Sequence, residues 1–90
     1  MAAVGAHAAA LTSGQARALA ATCLTCHNPV RGQPTFAPRL EGTDATRLAN
    51  VLRAYRSGEH GSLVMRQLAR GYTEAEIAAL ADWFAAQPRR

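Results

Sequence analysis

Within the five residues Cys23-Leu24-Thr25-Cys26-His27 stand both cysteines of the chain and one of its three histidines. The pattern is C-x-x-C-H, the form of an attachment site for a c-type haem. Two thiols at this spacing can add across the two vinyl groups of one porphyrin, and the adjacent imidazole then falls under the iron. Two other chemistries share part of the pattern. A thioredoxin-like redox pair needs a sheet and a βαβ unit, and no strand alternation is present. Structural zinc takes four Cys or His ligands, and the chain has no second paired motif. The histidine that directly follows Cys26 separates haem attachment from both.

If the haem reading holds, His27 is the proximal iron ligand and the opposite axial position decides the chemistry. A methionine there raises the reduction potential relative to a second nitrogen ligand, whereas an open position would bind small molecules. Met65 is the one methionine besides the initiator, and it falls on the inner spacing of a predicted helix with Leu68, Ala69 and Tyr72. A methionine at such spacing also serves as core filler. His60, in a glycine-flanked loop, and His7, near the start, are the rival ligands. Pro38-Arg39-Leu40-Glu41-Gly42 forms a proline-stiffened loop soon after the motif. Its backbone is placed to offer a carbonyl to the free N–H of a ligating histidine, an interaction that fixes the ring's orientation.

Four helical patterns position these residues. The first spans about Ser13 to Cys23, with Thr12 and Gln15 as a capping box. Its residues Ala16, Leu19, Ala20 and Cys23 follow the i, i+3, i+4, i+7 spacing of one face. The second spans about Asp44 to Ser57, with Thr43 as N-cap and Gly58 as stop, and its stripe is Leu48, Val51, Leu52 and Tyr55. The third spans about Ser62 to Arg70 and ends at Gly71. The fourth spans about Glu74 to Gln87 and carries a Thr73–Glu76 capping box, two early glutamates and a following Pro88. Ile77, Leu80, Ala81 and Phe84 make its core face, with Trp83 on the shoulder. A loop from Asn28 to Gly42 contains Pro29, Pro34 and Pro38.

Ninety residues hold one domain, of a size that often needs a metal or cofactor to complete its core. Alanine-rich, β-branch-poor composition favours an all-α fold. All ten basic residues are arginine and the formal charge is +4, which suggests an acidic docking surface on a partner, even after haem propionates offset part of it. The arginines form no basic run interleaved with aromatics, so nucleic acid is not expected, and no apolar stretch reaches the length of a membrane span. Residues 1–11 read as a disordered segment, a residual secretory signal with Ala6-His7-Ala8 in cleavage-site form, or an appended terminus. The domain proper is residues 12–90.

In this order of elements the chain resembles the class I cytochrome c superfamily. The likeness runs from Thr12 to Gln87: a helix ending in C-x-x-C-H, the P-x-L-x-G loop at Pro38, Leu40 and Gly42, a middle helix, the Met65 region and an aromatic last helix. It implies about four helices around one covalently bound haem c, thioether bonds at Cys23 and Cys26, and His27 and Met65 as axial ligands. It further implies a Pro38 carbonyl on His27, and first and last helices crossing near Trp83 or Phe84. Leu40, Tyr55 and Trp83 are candidates to line the haem pocket. A narrower likeness joins Tyr55-Arg56-Ser57-Gly58-Glu59, Val64-Met65-Arg66, Ala69-Arg70-Gly71-Tyr72-Thr73 and Ala81-Asp82-Trp83-Phe84-Ala85-Ala86-Gln87. These segments resemble the haem subunit of flavocytochrome c sulfide dehydrogenase, in its single-haem form. That resemblance implies an electron-transfer subunit, without catalysis of its own, beside an FAD-containing partner in the bacterial periplasm, with other redox proteins as acceptors. Arg39, Arg66 and Arg70 border the proposed haem loops and are candidate docking residues. A free-standing electron shuttle and a ligand-binding or peroxidase-like haem protein are the alternatives.

Overall fold

The computed structural model describes residues 10–27 and 37–89. Four helices account for the regular structure there: α1 (Ser13–Cys23), α2 (Ala45–Arg56), α3 (Leu63–Arg70) and α4 (Glu74–Ala85). No strand occurs among the described residues, and the architecture is that of a small class I cytochrome c fold. Ala6-His7-Ala8, Pro29 and Pro34 lie outside the described residues.

The helix starts follow from side chains that satisfy free backbone N–H groups. Thr12 accepts from the Gln15 amide at 3.1 Å while the Gln15 side chain accepts from the Thr12 amide at 2.9 Å. The same reciprocal box joins Thr73 and Glu76 at α4, where Glu74 and Glu76 also face the positive helix end. Four boundaries differ from the sequence reading: both ends of α2, the start of α3 and the end of α4. Asp44, not Thr43, caps α2, its carboxylate accepting from the Arg47 amide at 2.9 Å. The Thr43 amide is already donated to the Leu40 carbonyl at 3.1 Å, so Thr43 closes the preceding turn. Helix α4 stops at Ala85 rather than Gln87, because a residue just before proline is driven out of the helical region.

Helix α4 is the central element. It packs against α1 and α2, and α2 packs against α3, whereas α1 and α3 make no direct contact. Ile77, Leu80, Ala81 and Phe84 of α4 are buried with Ala20 of α1 and Leu48, Ala49 and Leu52 of α2. Five of the ten buried apolar residues among those described are alanines, so the helices approach closely and the apolar volume enclosed is small. Arg53 and Arg56 of α2 also reach Glu74, fastening the start of α4 to the end of α2.

Candidate functional site

The C-x-x-C-H segment is the unwinding end of α1. After Cys23 the chain turns through hydrogen bonds from the Cys26 and His27 amides to the Cys23 carbonyl, at 3.2 and 2.9 Å. This turn leaves Cys23 half-buried against the core and Cys26 exposed, and it folds His27 inward. Among the described residues His27 is the one buried polar residue, at 8% exposure. Its ring Nδ1 lies 2.6 Å from the Pro38 carbonyl oxygen. A carbonyl can only accept, so Nδ1 carries the proton and Nε2 keeps its lone pair. An imidazole held in this way has its orientation fixed and its Nε2 free to bind a metal.

The loop bearing Pro38 is itself anchored. Gly42, at φ +75°, donates its amide to the Phe84 carbonyl at 2.9 Å, and the Arg89 guanidinium donates to the Gly42 carbonyl at 3.4 Å. Leu40, from the same loop, packs against the core, as do Tyr55, Met65 and Trp83. Trp83 stands edge-on to Phe84 with ring centroids 5.0 Å apart, and it shares a cleft with Arg17, Ala21 and Leu24 of the α1 segment. The tryptophan therefore sits where the first and last helices meet.

Met65 lies half-buried on the inner side of α3, next to fully buried Ala69. Leu68 departs from the expected inner face: it is 45% exposed, and Val64 is 59% exposed. At 3.6 residues per turn both flank Met65 on the same side, giving α3 an apolar strip that the protein's own side chains do not cover. His60 is exposed in the loop before α3, and His7 lies outside the described residues.

These residues fit a covalently held haem. Thiols, a buried and pre-oriented imidazole, a thioether and an apolar strip are the donor set and surroundings that such a group requires. Among the described residues no group of three or more His, Cys, Asp or Glu is placed to hold a bare metal ion. Residue spacing set Tyr72 on the inner side after Met65 but did not show it beside Cys23. Burial pushes the Cys23 thiol above its ordinary value, against hydrogen bonding from Thr22 and Tyr72 that lowers it. Burial likewise raises the Tyr72 phenol, and the neighbouring Cys23 adds to the rise. Tyr72, in the α3–α4 connection, thus lies near the first thiol, a proximity of distant segments that leaves no trace in the pattern.

Comparison with known proteins agrees with this arrangement. Over 74 residues, 82% of this chain and 67% of the other, the sequence is 27% identical to the cytochrome subunit of sulfide dehydrogenase from Chlorobaculum tepidum. The chain is similar to a cytochrome subunit. No protein-family model matches the sequence. The cytochrome-like chain has, among its described residues, no helix long and apolar enough to cross a membrane.

Proposed function

We propose that residues 12–90 form a single cytochrome c domain that transfers electrons through one covalently bound haem c. In this reading it is the haem subunit that accepts electrons from the FAD subunit of a sulfide dehydrogenase in the bacterial periplasm. The observation that carries the reading is the buried His27 ring, held at 2.6 Å by the Pro38 carbonyl directly after two cysteines spaced for porphyrin attachment.

When bound, the haem supplies a one-electron ferric–ferrous couple. Cys23, at the half-buried end of α1, and Cys26, in the exposed turn, would hold it by thioether bonds. His27 through Nε2 and Met65 through its sulfur would be the residues that hold the iron. A thioether favours ferrous iron and so sets a higher potential than a second imidazole. The protonated Nδ1, fixed by Pro38, keeps the imidazole from rotating, and Leu40, Tyr55 and Trp83 exclude water. The chain itself performs no catalysis here, since sulfide oxidation would reside in the flavoprotein partner.

The test is made on protein matured in a host able to attach c-type haem. A mass increase of one haem, abolished by Cys23→Ala with Cys26→Ala, is expected, and a bare polypeptide mass would end the reading. Met65→Ala should lower the potential, remove the near-infrared methionine-to-iron band and admit cyanide. An unchanged spectrum would exclude Met65 as ligand. Co-isolation of a flavin-containing chain from the native source separates a dedicated subunit from a free shuttle.

A further inference from the structure

On α3, the face turned away from Met65 carries Arg66, Arg70 and Leu63, roughly 100 to 160° around the helix axis. With Arg56 and Ser57 at the end of α2 these residues line an open cleft of about 280 Å³. Its guanidiniums are unequally engaged. Arg56 is committed to Glu74 and to the Tyr72 carbonyl, and among the described residues Arg70 reaches only Gln67, at 3.4 Å. The Arg66 side chain lines the cleft, and among the described residues its buried Nε has no hydrogen-bond partner. Leu63, at the rim, is 65% exposed, an apolar contact that a hydrated inorganic ion would not cover.

We propose that this cleft receives an acidic segment of the partner protein, with a carboxylate on Arg66 and Arg70 and apolar stem atoms on Leu63. Arginine suits the role because its planar fork meets a carboxylate through two N–H groups at once. The site is separate from the strip beside Met65, so it would orient a partner without blocking that side. The inference rests on the redox reading only for the kind of partner, and its test does not depend on electron transfer.

The haem-loaded protein is titrated at low ionic strength with a synthetic hexaglutamate peptide, and backbone amide shifts are followed by NMR. Saturable shifts confined to Leu63–Arg70 and the end of α2 are expected. Arg66→Gln and Arg70→Gln should each weaken binding about tenfold, the loss of one charge-assisted hydrogen bond. Arg47→Gln, an equal loss of charge at the opposite end of α2, should leave it within about twofold. Equal losses in all three variants would show attraction by net charge alone and overturn the proposal. So would saturation of the same amides by inorganic sulfate at the same concentration, or peptide binding insensitive to Arg66 alongside a changed reduction potential in Arg66→Gln. The last result would assign this guanidinium to the haem side. Failure of haem attachment would appear separately in the mass spectrum.

Discussion

One proton determines what His27 can do. Because the Pro38 oxygen accepts from Nδ1 at 2.6 Å, the ring is fixed in the tautomer whose Nε2 can bind a metal. A comparable local constraint holds Tyr55. Gly61 has φ +91°, a region that disfavours side chains, and a Cβ there would overlap the Tyr55 ring. Gly61→Ala should therefore destabilise the protein by about 1–3 kcal/mol, read as a lower urea midpoint with an unchanged slope. A midpoint equal to the parent's would show that this loop relaxes freely. At this scale the C-x-x-C-H turn was legible because its information is local, with two thiols and an imidazole inside one turn of backbone. The nearness of Tyr72 to Cys23 and the bond from Gly42 to Phe84 were not, since contacts between distant segments impose no periodicity.

Among the elements, α1 and α4 declare themselves most clearly, because their capping boxes and i, i+3, i+4 spacings agree. The start of α2 was read one residue early, with Thr43 as cap: the Asp44 carboxylate takes the Arg47 amide, while the Thr43 amide closes the preceding turn on the Leu40 carbonyl. The link between α2 and α4 carries a pH dependence. Hydrogen bonds from Arg56 and then Arg53 hold the Glu74 carboxyl below its ordinary range. The folded state thus binds this proton more weakly than the unfolded chain does. Its contribution is complete above the unfolded carboxylate value and is lost as pH falls through the lower, folded one. Glu74→Gln should make the acid limb of a urea-midpoint profile shallower, and salt should shrink the difference between variant and parent. Parallel acid limbs would mean that the two arginines add nothing measurable.

For the molecule as a whole, the decisive property is how little apolar volume the helices enclose. Half of the buried apolar residues are alanines, α1 and α3 do not touch, and Val64 and Leu68 remain outside the core. In the haem reading proposed above, the cofactor would supply the apolar body that completes so small a core, as in other small cofactor proteins. The paired replacement Cys23→Ala with Cys26→Ala should leave a largely unfolded chain with weak far-ultraviolet helix signal. A cooperative melt in that variant would show that the helices suffice alone. The all-α class and helix order could be read from composition and spacing. The missing contact between α1 and α3 could not, because a gap is a property of the assembled bundle.

Gly42 gives the backbone at Pro38 a second attachment, to the Phe84 carbonyl in the final turn of α4. The imidazole's tether and the far end of the molecule are consequently parts of one lever. Ends of helices loosen at temperatures well below global melting. On warming the matured protein, the midpoint potential should start to drift before circular dichroism records any loss of helix. Coincident onsets would mean that the two ends move independently.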